Sequence, residues 1–165
     1  MKLDKFDLKI LEILRKDGRM PAAHLGNLVG LTSSPTWQRV RRLEKAGLIR
    51  GYHADIAIER LGKIVTVIVP VTLENHRAPD FRRFEQAIGK IPEIVECAAV
   101  GGGVDYVLRF VVPNIERYQE IVDELLQGDL GIHRYWTYIV TKPAKPYTGV
   151  PLTALLAAER KAEVE

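Results

Sequence analysis

Apolar residues fall at helical spacing from the first turn of the chain. Leu3, Phe6, Ile10, Leu11 and Leu14 recur every three or four positions. Asp4 and Asp7 lie in the first turn, where carboxylates suit the positive end of the helix dipole. This pattern predicts a helix over residues 3–14 that ends near Asp17 and Gly18. Met20-Pro21 opens a second helix over about residues 20–29, with Leu25 and Leu28 inward and proline tolerated in the first turn. Gly30-Leu31-Thr32 makes a tight corner, and Thr32 or Ser33 can cap a third helix to about Ala46. That helix turns Thr36, Val40 and Leu43 inward and closes at Gly47. Three short helices, the last two joined by a glycine-containing turn, are the helix-turn-helix pattern. The β-type residues that follow predict a short strand over residues 48–54 and another near 55–58, as a ribbon or linker.

The rhythm then changes. Strands are predicted over residues 64–73, 94–100, 105–112 and 132–142, and helices over 80–90 and 113–127. The order β-α-β-β-α-β is the ferredoxin-like arrangement, a four-stranded antiparallel sheet with two helices on one face. In the first of these strands Val65, Val67, Val69, Val71 and Leu73 form one face. The other face, Ile64, Thr66, Ile68, Pro70 and Thr72, is still half apolar. Two helices cover only one face of such a sheet, so the second is expected to bury against another copy of the chain. Pro70 cannot donate to a ladder and is expected at a bulge or a strand end. A tail over residues 143–165 begins loop-like and ends in a segment, 152–164, that favours a short, partly frayed helix. The fold class is α+β, with residues 1–50 as the helical domain, 51–62 a linker or β-ribbon, 63–142 the ferredoxin-like domain and 143–165 the tail.

Charge sharpens this division. The 165-residue chain carries a net +3, but residues 1–62 hold 12 Lys/Arg against 7 Asp/Glu, and residues 63–165 hold 12 against 14. The basic excess belongs to the helical module, as a nucleic-acid-facing surface would require. The longest apolar run falls well short of the roughly 20 residues that a spanning helix needs. No signal sequence is visible at the N-terminus, and the single cysteine, Cys97, cannot form an intramolecular disulfide. A cytoplasmic protein without membrane association is the expectation.

On the third helix, Ser33, Ser34, Trp37, Gln38, Arg41 and Arg42 project outward if Thr36, Val40 and Leu43 are buried. The first turns of such a helix are the part that enters a major groove. Serine hydroxyls and the helix N-terminus can hold phosphates, Gln38 can read adenine, and an arginine can read guanine through paired hydrogen bonds. Arg39, Arg41, Arg42, Lys45 and Arg50 add a salt-dependent attraction to phosphates. A solvated basic face is the plainer reading, but such a surface does not favour an exposed Trp37.

Farther along, Gly101-Gly102-Gly103 leaves amide N–H groups unshielded for a carboxylate, and Asp105 can meet an α-ammonium. The same glycines also fit a plain hairpin turn. Thr137 on the last strand is a further candidate for such a pocket. The four histidines are scattered without metal-ligand spacing, so no metal or cofactor is expected. No serine elbow or phosphate-binding loop is present, Cys97 falls in an apolar strand and is expected to be buried, and no catalytic residue is assigned. A ferredoxin-like enzyme would need a cleft with shifted ionisable groups, for which Asp105 is the sole candidate. An amino-acid-binding or enzyme-accessory module, with the helix-turn-helix as an interaction platform, is the other class of reading.

The opening LDKFDLKIL, the run RVRRLEKAGLI and the following GY resemble the N-terminal domain of the Lrp/AsnC family, the leucine-responsive or feast/famine transcription regulators. The second half is similar too: VGGGVDYVL stands where the family has a turn of the type TG-x-x-DY-x-L, and KPYTGVPL resembles the segment after its last strand. The resemblance covers about residues 2–153. It implies a cytoplasmic regulator, not an enzyme, that dimerises through a ferredoxin-like (RAM-type) domain, assembles further into tetramers of dimers and binds double-stranded DNA. It also implies an amino-acid effector at the dimer–dimer interface, near Val100, Gly101, Gly102, Gly103, Asp105 and Tyr106. By position Thr32, Ser33, Ser34, Trp37, Gln38, Arg39 and Arg42 would lie near DNA. Here Val100 replaces the family's threonine before the first glycine.

Overall fold

The computed structural model describes residues 3–145, 147, 149–152 and 154–155. The chain divides between Asp55 and Ile56 into two compact units, the first of which also takes in the described residues from Lys145 onward.

In the first unit α1 spans Lys5–Lys16, α2 Ala22–Val29 and α3 Ser33–Lys45. Asp4 caps α1: its carboxylate accepts the Phe6 and Asp7 amides, and Asp7 at N3 accepts the Asp4 amide in return. Gly30 ends α2 at φ 81°, a left-handed conformation that glycine adopts without strain. Ile10, Leu25, Val29, Val40 and Leu43 meet in one core, whereas Leu28, expected inward, is exposed, because Leu25 and Val29 one turn apart carry the inward face of α2. At the crossing of α2 with the turn, the chain comes so close to Gly26 that an added Cβ would sit 2.7 Å from the Leu31 carbonyl oxygen. Thr36, fully buried below it, donates its hydroxyl to the Thr32 carbonyl at 2.8 Å. After α3, Gly47 turns the chain at φ 71°, and the Leu48 and Ile49 amides close back on the Leu43 carbonyl.

The strands expected over residues 48–54 and 55–58 do not form. Among the described residues no strand lies opposite them, and β-branched or aromatic side chains without a partner ladder do not make a strand. Leu48, Tyr52 and Ile56 are exposed, and the segment holds only a 3-10 turn at Ile58–Arg60. Most of the helix expected over 152–164 lies outside the described residues; the Ala154 and Leu155 amides bond to the Pro151 carbonyl.

In the second unit β1 (Val65–Leu73), α4 (Ala78–Ile88), β2 (Ile94–Ala99), β3 (Tyr106–Val112), α5 (Ile115–Gln127), β4 (Ile132–Tyr135) and β5 (Tyr138–Ile139) follow in order. The antiparallel sheet runs β2-β3-β1-β4, with β5 also on β1, as in a ferredoxin-like fold. Val67, Val69, Val71 and Leu73 of β1 and Tyr106, Leu108, Phe110 and Val112 of β3 bury against Phe84 and Ile88 of α4 and Tyr118, Ile121, Val122 and Leu125 of α5. Among the described residues of this unit, no helix lies on the opposite face. There Thr66, Ile68 and Pro70 pair with Val111, Arg109 and Val107.

Pro70 sits inside the central strand rather than at a bulge or an end. Its carbonyl accepts the Trp136 amide, so its missing N–H also faces the last strand. That strand is broken at this level into β4 and β5. The pairs Val71–Tyr135 and Ile68–Tyr138 keep one register across the gap, so one absent donor opens the ladder without shifting it. Cys97, expected in the core, is exposed instead, because β2 is the edge strand. Partial burial and the nearby Glu85 push its thiol pKa up, away from nucleophilic use.

Gly26→Ala is expected to destabilise the first unit by about 1–3 kcal/mol, because the new methyl meets backbone in the helix-turn-helix corner. Urea unfolding followed by helical circular dichroism measures it.

Candidate nucleic-acid interface and effector cavity

Two pairs of opposite charge at the same spacing fix the outward face of α3. Asp4 and Asp7 lie three apart at the start of α1, and Arg39 and Arg42 three apart on α3. Asp7 is only 1% exposed, yet it is satisfied on every side. Its Oδ1 accepts from Arg39 at 2.8 Å and Arg42 at 2.7 Å, while Oδ2 accepts from Arg42 at 2.7 Å and from the Asp4 amide. Arg39 also reaches Asp4 at 2.6 Å and lies over the Phe6 ring. The Asp7 amide and, after it, the Arg39 guanidinium hold the Asp4 carboxyl below its ordinary range, against an opposing push from burial. The bonds to Asp4 and Asp7 in turn raise the Arg39 pKa.

The structure gives Arg39 and Arg42 a role inside the unit. Both lie on the expected face of α3, but their guanidinium groups are engaged by α1 acids and pin that helix in place. Thr32, Ser33, Ser34, Trp37, Gln38 and Arg41 are exposed. Thr32 stands at the N-cap position, but its side chain makes no capping bond. Pro35 has no N–H, so the Ser33 and Ser34 amides and hydroxyls form the open start of the helix. The Arg41 guanidinium stacks over the Trp37 ring at 5.1 Å, so these two side chains share one orientation outward. Farther along α3 Tyr52 donates to Glu44 at 2.9 Å, and burial with this bond pushes its phenol up to about 12.

In the second unit Gly102, at φ 142°, Gly103 and Asp105 line a cavity of about 410 Å³ together with Thr72, His76, His133, Arg134 and Trp136. Asp105 accepts the Leu73 amide at 2.7 Å, and the His76 Nε2 lies 3.0 Å from its other oxygen. The Arg134 guanidinium lies over the Trp136 ring at 5.8 Å. The other expected effector residues are placed elsewhere. Val100 and Gly101 lead into the turn, and Val100 donates its amide to the Asp105 carbonyl. Tyr106 has its ring in the core and donates to Glu85 at 2.8 Å, in the wall of a second cavity beside Cys97. Thr137 does not line the glycine-turn cavity; its hydroxyl meets the Tyr118 hydroxyl at 2.6 Å. His133, Arg134 and Trp136 reach this cavity through the pairing of the last strand with β1, and His76 through the connection after β1, so no spacing in the sequence marks the four as one site.

Among the described residues no group of three or more His, Cys, Asp or Glu could hold a metal, and no helix is long and apolar enough to cross a membrane. Residues 3–50 match the family model of a winged helix-turn-helix DNA-binding domain, and residues 66–150 match that of the Lrp/AsnC ligand binding domain. The chain belongs to the Lrp/AsnC family. It is 52% identical over 145 residues to the transcriptional regulatory protein DoeX of Halomonas elongata, spanning 88% of this chain and 92% of that protein. It is 40% identical over 144 residues to the leucine-responsive regulatory protein of Escherichia coli K12, spanning 87% of each. Among solved structures, an AsnC family transcriptional regulator from Agrobacterium tumefaciens superposes with a TM-score of 0.85 at 31% identity, covering 93% of this chain and 99% of that one. A transcriptional regulator from Neisseria meningitidis, solved in complex with L-methionine, gives 0.85 at 29% identity over the same shares. This member of the Lrp/AsnC family is thus a DNA-binding transcriptional regulator with a ligand-binding domain, and the relatives it matches are regulators.

Asp7→Ala is expected to cost about 1–3 kcal/mol of stability, because Arg42 and the Asp4 amide lose their buried acceptor, while Arg39 keeps Asp4 and the half-exposed Arg42 returns to water. Asp4→Ala is expected to cost about 1 kcal/mol, the worth of a cap. Because the folded Asp4 carboxyl sits below its ordinary value of about 3.9, its contribution is complete above that pH and is lost as pH falls through the lower folded value. Asp4→Asn should accordingly flatten acid unfolding below pH 4, measured by circular dichroism.

Proposed function

We propose that this chain binds specific operator sequences with the exposed strip Ser33, Ser34, Trp37, Gln38 and Arg41 of α3, backed by Thr32. The observation that carries this reading is the Trp37–Arg41 stack beside an open helix N-terminus: an apolar ring and a cation with no ion-pair partner among the described residues, held outward together. Ser33 and Ser34 would take phosphate, Gln38 and Arg41 would face base edges, and the Trp37 ring would meet thymine methyl groups. Arg39 and Arg42 would set the helix at its angle and add positive potential. On this reading residues 1–50 are the DNA-binding domain, 51–62 the linker and 63–142 the oligomerisation and effector domain.

The uncovered sheet face, with Ile68, Val107 and Val111 at its centre, supports a homodimer, and the family supports further assembly into a tetramer of dimers. A cytoplasmic setting fits such a regulator. For the effector we favour an amino acid in the cavity at Gly102 and Gly103. The L-methionine held by the Neisseria meningitidis protein supports the class of ligand, and the unshielded glycine amides opposite Asp105 support the polarity of the site.

Selection from a random duplex pool tests the DNA reading. Arg41→Ala is expected to weaken binding to the selected duplex by about 1–3 kcal/mol with stability unchanged, whereas Arg39→Ala is expected to lower stability as well. A pool that yields no preferred sequence would refute the reading. Val107→Glu, which places a charge on the uncovered face, is expected to give monomers by light scattering with the fold retained.

A further inference from the structure

The acid that would receive the effector's ammonium already has an occupant. Asp105 is held by its backbone, whose N–H donates to the Val71 carbonyl and whose carbonyl accepts the Val100 amide, each at 2.9 Å. Its carboxylate has two partners of different kinds. The Leu73 amide belongs to the end of β1 and cannot leave without opening the strand. The His76 ring stands in the connection between β1 and α4, 61% exposed, with Nε2 at 3.0 and 3.1 Å from the two carboxylate oxygens. The Phe81 ring, tilted at 51° with a centroid distance of 6.0 Å, lies beside the imidazole. One partner is therefore part of the strand and the other is an exposed side chain on the connection after it, and both His76 and Asp105 line the cavity.

We infer that His76 is a gate on the effector cavity: it occupies the ammonium position on Asp105 while the cavity is empty, and a ligand must displace it. The inference rests on the reading that the cavity takes an amino acid. A ligand ammonium brings three donors to a carboxylate and the imidazole brings one, so exchange favours a ligand that carries a free α-amino group. A ligand without such a group has no means of displacing the ring. His76 is thus a specificity-determining residue: it sets the threshold concentration and requires the primary ammonium.

Titration calorimetry of the full-length chain with each of the twenty amino acids tests this, on the wild type, His76→Ala, His76→Lys and Asp105→Asn. If the ring leaves Asp105 for about a tenth to a third of the time, its removal tightens binding roughly three- to tenfold. His76→Ala is therefore expected to bind the same amino acids about three- to tenfold more tightly, with an unchanged melting temperature in the absence of ligand. His76→Lys, a tethered ammonium, is expected to bind more weakly than wild type, and Asp105→Asn to lose binding. Tighter binding by His76→Ala alone, with the wild type silent, also supports the gate. If the wild type binds an amino acid and His76→Ala binds it equally or more weakly, the gate is overturned while the amino-acid reading stands. If no variant binds any of the twenty, both fall.

Discussion

A carboxylate taken out of water loses several kcal/mol of hydration unless charges and hydrogen bonds replace it, and in this regulator the replacement dictates where the recognition helix lies. Asp7 is buried beside α3 and its oxygens are filled by Arg39, Arg42 and the Asp4 amide. The guanidinium planes fix the rotation of α3 about its own axis, since two arginines three apart must both reach one acid. That rotation buries Thr36, Val40 and Leu43 and leaves Trp37, Gln38 and Arg41 outward. The same acid completes the cap of α1. Helix start, helix rotation and outward face therefore share one interaction, and the basic excess of this third of the chain is partly spent inside the unit.

In the second unit a missing hydrogen bond plays the corresponding part. Pro70 cannot donate toward the last strand, and the ladder opens there into β4 and β5 without a change of register. Arg134 and Trp136, the residues on the near side of that opening, reach the cavity of Gly102, Gly103 and Asp105. Thr137, on its far side, turns to Tyr118 instead. The face of the sheet without helices keeps apolar residues at Ile68, Val107 and Val111, positions whose alternation with the core residues is strict.

Helices and the alternating strands were legible because their hydrophobic periods are local: Ile10, Val40 and Phe84 each repeat with neighbours three or four residues away. What failed had non-local causes. Residues 48–58 have β-type composition but no partner, and composition does not report a partner. Cys97 reads as core from its apolar neighbours, whereas its exposure follows from β2 being last in the sheet order. The clamp had a signal, matched acidic and basic pairs at i, i+3 on α1 and α3, which is visible only when the two helices are considered together. The glycine turn is legible as a turn with open amides, but His133 and Arg134 join it through strand register and His76 through the connection after β1.

The central claim is a division of labour on α3, with Arg39 and Arg42 held by Asp7 and Arg41 left to meet DNA. Nuclear magnetic resonance of arginine side-chain Nε–H groups, recorded as a selected duplex is added, tests it most directly. The account predicts a large shift at Arg41 and at the Trp37 indole, with Arg39 and Arg42 keeping their free-state signals. Shifts confined to Arg39 and Arg42, with Arg41 and Trp37 unmoved, would contradict it.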